Sequence, residues 1–137
     1  MSICQVCQHK APRECEHSHL TREYYGVLYA ALKHVAYRYG YTLAVHGSLS
    51  YDIDLVAVPW RDSAVSAESL VEGIKKACES IIGFAEFREG DPNPAKKPCG
   101  RLAWSIYLVP PDHYKGPYID LSVMPIGLSV MPIGKDK

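Results

Sequence analysis

The sequence predicts an α+β fold, with a mixed sheet of four or five strands and two helices packed on one face of it. Two segments with helical spacing of apolar residues, 21–39 and 66–82, alternate with short apolar runs rich in β-formers. A chain of 137 residues, of which 47% are hydrophobic, is long enough for one domain with a core. We therefore expect a domain at 20–127, a Cys- and His-rich segment at 1–19 and a duplicated tail at 128–137.

The first helix is predicted by apolar side chains that recur every three or four residues. Thr21 or Ser18 is suited to cap its start, and Gly40 is suited to end it. Two strands, at 42–47 and 52–59, follow with a very short connection between them. The apolar positions that share one face of the helix are Tyr24, Leu28, Ala31, Leu32, Val35 and Tyr39.

The second helix is predicted to begin after Ser66 and to end at Gly83. The Pro and Gly residues of 88–100 indicate a loop. The apolar face of this helix consists of Leu70, Val71, Ile74, Ala77, Cys78 and Ile81. Further strands are predicted at 84–87, 101–109 and 117–126.

The tail contains a perfect repeat, because LSVMPIG at 121–127 is followed at once by LSVMPIG at 128–134. Two copies of seven residues are too few for a solenoid, which needs several larger units. Only the first copy follows an acidic residue, Asp120, so only that copy is expected to belong to an acid-bearing strand. We interpret the second copy as a duplication without a function of its own.

Charge and cysteine content narrow the class of protein. Fifteen basic side chains balance fifteen acidic ones, which argues against a broad surface that tracks nucleic-acid phosphates. No stretch approaches the roughly 20 apolar residues that span a bilayer, and residues 1–20 lack the apolar core of a signal peptide. Five cysteines, an odd number, favour reduced thiols and a cytoplasmic location without membrane partners.

Three aspartates interrupt strands that are otherwise apolar. Asp52 and Asp54 begin the run that continues through Val56, and Asp120 lies inside a second β-rich run. Side chains two residues apart on a strand project from the same face, with Cα atoms about 6.6 Å apart. If the strand of Asp120 pairs beside the first, about 4.8 Å away, the three carboxylates converge.

Such a cluster favours a divalent-cation site, because carboxylates that close would otherwise repel each other. Two Mg²⁺ ions, which prefer carboxylate and phosphate oxygens, would relieve the repulsion and serve phosphoryl-type chemistry. Gly47 and Ser48 are suited to hold a phosphate through backbone amides and a hydroxyl. The alternative is structural, since an Asp beside a turn often accepts bonds from backbone amides. That alternative explains Asp52 alone and leaves Asp54 and Asp120 unexplained.

Gly-Ser followed by Asp-x-Asp and a later strand aspartate resembles the DNA polymerase beta-like nucleotidyltransferase superfamily. More narrowly, the chain is similar to small phage- and prophage-encoded nucleotidyltransferase-like proteins over roughly 42–126. The segments that carry this likeness are HGSLSYDIDLVAVPW, KPCGRLAWSIYL and PYIDLSVMP. The resemblance implies that Asp52 and Asp54 bind both metals, and that Asp120 binds the catalytic metal and helps to deprotonate the attacking hydroxyl.

Two departures from the superfamily pattern alter these expectations. The superfamily has a longer segment between Gly-Ser and Asp-x-Asp, whereas only Leu49, Ser50 and Tyr51 intervene here. We therefore expect a tight turn to hold the phosphates instead of a helix N-terminus. Cys99 stands where the similar proteins have a histidine, so no role is assigned to it.

Cationic and thiol side chains add two lesser sites. Lys97 and Arg101, just before the strand that is expected to neighbour Asp120, are candidates to bind the triphosphate or the departing pyrophosphate. Lys96 is as readily an ordinary solvated lysine. A structural Zn²⁺ is the other candidate, with incidental cysteines as the alternative. Its predicted ligands are Cys4, Cys7, Cys15 and His19, with His17 or His9 as substitutes.

The sequence thus predicts an Mg²⁺-dependent enzyme that transfers a nucleoside monophosphate from a nucleoside triphosphate to an acceptor hydroxyl and releases pyrophosphate. The acceptor is a protein side chain, an RNA end or a small molecule, and a partner chain or homodimer would supply its binding site. Two alternatives remain open. One is a nucleotide-binding module without turnover, and the other is a zinc-dependent nucleic-acid-binding module in which the acids are structural.

Overall fold

The computed structural model describes residues 21–47, 49, 52–110 and 116–126. These residues form a mixed sheet with two helices, so the predicted α+β class is confirmed. The sheet has six strands within the described residues, more than the four or five expected, because the two-residue strand Ala95–Lys96 was not predicted. The elements are α1 (Arg22–Arg38), β1 (Tyr41–His46), β2 (Ile53–Pro59), α2 (Ala67–Ile82), β3 (Glu86–Phe87), β4 (Ala95–Lys96), β5 (Leu102–Tyr107) and β6 (Tyr118–Val123).

Several sequence predictions fall on residues outside that description. The Cys- and His-rich segment at 1–19, with the predicted zinc ligands Cys4, Cys7, Cys15 and His19, is among them. Ser48 of the Gly-Ser pair and the duplicated tail at 128–137 are outside it as well. Neither helix in the described part of the chain is long and apolar enough to cross a membrane.

The strand order places the two acid-bearing strands side by side in the middle of the sheet. The order is β1-β2-β6-β5-β3, and β4 pairs with β5 beside this path. β2 and β6 are parallel, whereas the other strand pairs are antiparallel. A parallel pair needs a long crossover connection, and the chain from α2 through β5 provides it.

Both helices pack on one face of the sheet, as predicted, and form a single hydrophobic core with it. In β2 every second side chain points into this core, so Ile53, Leu55 and Ala57 are fully buried. The buried positions of α1 are Tyr25, Leu28, Leu32 and Ala36, and those of α2 are Leu70, Val71, Ile74 and Cys78. The opposite face of β2 and β6 carries the aspartates.

The predicted inner face of α1 was wrong at its start. Tyr24 was expected to point inward but is 38% exposed, and Tyr25 is fully buried in its place. The first turn of α1 has apolar side chains on several sides, so periodicity alone did not fix which tyrosine is buried. The predicted cap is confirmed, since the Thr21 hydroxyl oxygen accepts a hydrogen bond from the Tyr24 amide at 3.1 Å. On α2, Ile81 is likewise more exposed than expected.

The segment predicted as a loop at 88–100 is more structured than expected. It contains β4 and two short 3-10 turns, Arg88–Gly90 and Pro98–Gly100. The indole N–H of Trp104 donates a hydrogen bond to the Pro92 carbonyl at 3.0 Å. The segment is therefore held against β5 by tertiary contacts.

Candidate functional site

Asp54 and Asp120 lie directly opposite each other on the parallel strands β2 and β6. The predicted adjacency of these two strands is therefore confirmed. Their sequence neighbours Ile53 and Ile119 are fully buried against the helices, so both aspartates lie on the opposite, uncovered face. Asp52 precedes Asp54 by two residues at the same end of the sheet, which brings three carboxylates together at the N-terminal ends of the two strands.

The pairing places the aspartates within a polar row across four strands. His46 of β1 is opposite Asp54, and Ser105 of β5 is opposite Asp120. The next row on the same face is Ala44, Val56, Ser122 and Ala103. The side chains of this row are small or of moderate size, and Ser122 is buried.

The electrostatics of the cluster oppose its ionisation. Partial burial raises the pKa of Asp54, and the negative charges of Asp52 and Asp120 raise it further. His46 acts in the other direction and lowers the pKa of Asp54. A cation bound between the carboxylates would remove the repulsion, so this arrangement favours positively charged ligands.

Tyr118 is a site residue that the sequence analysis missed. Its hydroxyl donates a hydrogen bond to the Asp52 carboxylate, and burial followed by the charge of Asp52 raises the pKa of Tyr118 above its usual range. The ring stacks on Tyr107 of the neighbouring strand, with centroids 5.3 Å apart and planes 19° apart. The signal was present in the sequence, because Tyr118 is two residues from Asp120 and shares its face.

Gly47 lies directly against Asp54. Gly47 has a φ of +90°, and a Cβ added there would be 3.0 Å from Oδ2 of Asp54. Leu49 is also left-handed, with a φ of +59°. The φ values of Gly47 and Leu49 are therefore not those of a right-handed helix. Glycine thus allows close approach of the backbone to Asp54 and to a ligand beside it.

Arg101 is held over the same face as Asp120. Its Nη1 donates a hydrogen bond to the Ser122 hydroxyl at 2.8 Å, and Ser122 follows Asp120 by two residues, about 6.6 Å along the strand. The Lys97 amide donates to the Arg101 carbonyl at 2.8 Å. Lys96 and Lys97 are exposed, and Lys96 pairs with Leu102, which pairs with Val123 at the end of β6. The hydrogen bond to Ser122 places the Arg101 side chain over the acid-bearing face.

A magnesium site can be formed by protein ligands alone or be shared with water and substrate phosphates, and these two cases differ for the residues described here. Across 21–47, 49, 52–110 and 116–126, no group of three or more His, Cys, Asp or Glu is arranged to hold a metal ion. Mg²⁺ is usually bound through one or two carboxylates together with water and substrate phosphates, and a cage made wholly of protein ligands is unusual for it. Asp52, Asp54 and Asp120 provide the hard oxygen donors that such a shared site needs.

Comparison of the chain with protein-family models and with curated proteins found no match. Its function is therefore inferred from the residues at this end of the sheet.

Proposed function

We propose that this protein is an Mg²⁺-dependent nucleotidyltransferase of the DNA polymerase beta-like superfamily. It would transfer a nucleoside monophosphate from a nucleoside triphosphate to an acceptor hydroxyl, with release of pyrophosphate. The observation that carries the proposal is the direct opposition of Asp54 and Asp120 on central parallel strands, with Asp52 at the same end. A purely structural role does not account for three acids at one end of one sheet face, where burial and the charges of Asp52 and Asp120 raise the pKa of Asp54.

Each side chain has a distinct task in this reaction. Asp52 and Asp54 would hold two Mg²⁺ ions, which supply charge stabilisation for the attacking and leaving oxygens when bound. Asp120 accepts the proton of the acceptor hydroxyl, whose oxygen forms a bond to the α-phosphorus. The bond from that phosphorus to the bridging oxygen breaks, and pyrophosphate leaves. Gly47, with Ser48, contacts the phosphates, and Arg101 contacts the departing pyrophosphate.

The proposal also covers the acceptor, the cellular location and a structural metal ion. The acceptor is a protein side chain, an RNA end or a small molecule, and a partner chain or a second copy would contribute to its binding. We place the protein in the cytoplasm, where its thiols remain reduced. Cys78 and Cys99, the cysteines of the described residues, are both free. The proposal includes a structural Zn²⁺ bound by Cys4, Cys7, Cys15 and His19.

Labelled nucleotide transfer tests the proposal directly. The purified chain is incubated with Mg²⁺, each labelled nucleoside triphosphate and a lysate that supplies acceptors, and both labelled products and pyrophosphate are measured. We expect wild-type activity to be lost in Asp54→Asn and in Asp120→Asn. Asp62→Asn is the matched control, because Asp62 is an exposed acid outside the site. Activity that survives in both site variants, or wild-type inactivity with every triphosphate, would contradict the proposal.

One observation favours a second candidate, a nucleotide-binding module without turnover. The left-handed φ values of Gly47 and Leu49 differ from those of the helix N-terminus at which phosphates are commonly bound. For such a module, a nucleoside triphosphate with Mg²⁺ would raise the melting temperature of the protein, yet no pyrophosphate would be released. Comparison of the melting curves with the transfer assay distinguishes the two candidates.

A further inference from the structure

A cluster of stacked, exposed planar groups lies at the other end of β2. The rings of Tyr37 and Trp60 have centroids 4.9 Å apart and planes 22° apart. The guanidinium carbon of Arg61 is 5.0 Å from the Trp60 ring centroid. Tyr37 is 60% exposed and Trp60 is 43% exposed, so the cluster is not part of the core. We call Tyr37, Trp60 and Arg61 the aromatic platform.

Backbone contacts hold the aromatic platform in place. The Trp60 amide donates to the Gly40 carbonyl at 2.9 Å, which continues the hydrogen bonding between β1 and β2 by one step. Nη2 of Arg61 donates to the Arg38 carbonyl at 3.2 Å, at the end of α1. The Trp60 backbone is therefore fixed at the end of the sheet and the Arg61 guanidinium at the end of α1, and the Tyr37 ring stacks on that of Trp60.

The charge around the platform is positive, although the whole chain is neutral. Arg61 belongs to the platform, Arg38 is an exposed residue next to Tyr37 in sequence, and Lys33 is exposed one helical turn before Tyr37. Asp62 is the adjoining acid in sequence. Protein interfaces of standard size need about 800 Å² per partner and a core depleted of charge, and two rings among charged side chains do not provide that.

We propose that the aromatic platform binds single-stranded nucleic acid. Bases stack on the rings of Tyr37 and Trp60, and the guanidinium groups of Arg38 and Arg61 contact phosphates. Aromatic rings combined with cations are the usual means by which proteins bind single strands without strict sequence preference. The platform uses none of the three aspartates, and Trp60 follows Asp54 by six residues, about 20 Å along an extended strand. The inference is thus independent of nucleotidyl transfer.

The two tryptophans of the chain allow a direct measurement in the full-length protein. Trp104 is only 4% exposed, so bases can quench the fluorescence of Trp60 but not that of Trp104. Titration with a single-stranded RNA or DNA of about 12 nucleotides is expected to quench part of the emission in a saturable way. Two phosphate contacts predict about a sevenfold rise in Kd between roughly 50 and 200 mM salt.

Substitutions and a second method complete the test. By fluorescence anisotropy of a labelled single strand, Tyr37→Ala and Trp60→Ala are each expected to raise Kd by about five- to 150-fold. Val27→Ala is the matched control, because Val27 is a 68% exposed side chain of the same helix outside the platform, and it should leave Kd unchanged. Absence of quenching and of anisotropy change would overturn the inference. So would binding that both platform variants retain, or platform variants that change self-association instead.

Discussion

The two faces of β2 and β6 differ sharply although they belong to the same short strands. The helix-covered face includes Ile53, Leu55, Ile119 and Leu121, all fully buried. The uncovered face carries Asp54 and Asp120 opposite each other, and their carboxylates repel. One face therefore buries apolar surface, whereas the other brings together acids whose charges, with burial, oppose the ionisation of Asp54. This difference is typical of functional sites, where activity requires groups that the fold alone would not favour.

The largest expected effect comes from weakening the covered face. Leu55→Ala removes a fully buried side chain and should lower the free energy of unfolding by about 2–5 kcal/mol. Val56→Ala, its neighbour on the uncovered face, should have a clearly smaller effect. Urea denaturation of the two variants measures both values. Equal losses would show that the two faces do not differ as described.

A backbone change at the site comes next. Gly47→Ala forces a Cβ to within 3.0 Å of Asp54 Oδ2 at a φ of +90°, and it should destabilise the protein by about 1–3 kcal/mol. Gly26→Ala is the control, since no atom lies within 4 Å of a Cβ at this helical glycine. That control should stabilise the protein by about 0.5–1 kcal/mol. Thermal unfolding of both variants should therefore shift in opposite directions, and shifts of the same sign would contradict the proposed close approach at Gly47.

Tyr118 offers a way to test how the carboxylates are oriented. Tyr118→Phe removes the hydroxyl that donates to Asp52 but retains the ring that stacks on Tyr107. We expect the Mg²⁺ concentration needed for half-maximal thermal stabilisation to rise about tenfold, as for partners that orient metal ligands. Tyr107→Phe loses a hydroxyl from the same stacked pair and should leave that concentration unchanged. If the required Mg²⁺ concentration changed equally in both variants, the Tyr118 hydroxyl would have no specific role in orienting Asp52.

The smallest expected effect is a gain in stability. Without divalent cations, Asp54→Asn should raise the free energy of unfolding by less than about 1 kcal/mol, because it removes a partly exposed carboxylate from between two others. Because the pKa of Asp54 is raised, this carboxyl group keeps its proton in the native state at pH values above about 3.9, the ordinary pKa of an aspartate. The free energy of unfolding of the wild type therefore declines, relative to that of Asp54→Asn, as the pH rises from about 3.9 through the raised pKa of Asp54 in the native state.

Two measurements check this sign. Urea denaturation in EDTA at pH 3 and at pH 7 should show no difference between Asp54→Asn and wild type at the lower pH and a difference at the higher one. Mg²⁺ at pH 7 should then stabilise the wild type more than the variant. A variant that is less stable than the wild type at pH 7 without Mg²⁺ would mean that the Asp54 carboxylate contributes to the fold.

Period-two alternation predicted the sheet well. It placed Asp54 and Asp120 on strands. Acids inside apolar runs suggested a shared site, which requires the two strands to be neighbours. The same alternation places Tyr118 beside Asp120, although an aromatic residue in a strand was read as part of an apolar run. The superfamily resemblance and the Mg²⁺ chemistry remain predictions, since no comparison or contact in the described residues tests them.

Features that depend on tertiary contacts were harder to predict. The choice of Tyr25 over Tyr24 on α1 depends on how the helix meets the sheet, which sequence spacing does not specify. β4 consists of two exposed residues that pair with Leu102 and Ala103, and such a short strand has no pattern of its own. Arg101 was singled out as a cation at the start of a strand, but its bond to Ser122 follows from a pairing between distant segments.

The opposition of Asp54 and Asp120 also has a consequence for how the chain folds. If β6 slipped by one residue against β2 during folding, its side chains would exchange faces, and Asp120 would enter the apolar interior beside Leu55. An unpaired carboxylate in the apolar interior is strongly unfavourable, so sheets with this shifted register are unstable and should not persist during folding. Replacement of both acids by valine would remove this safeguard and permit kinetic traps with shifted strands, even though valine favours β-structure.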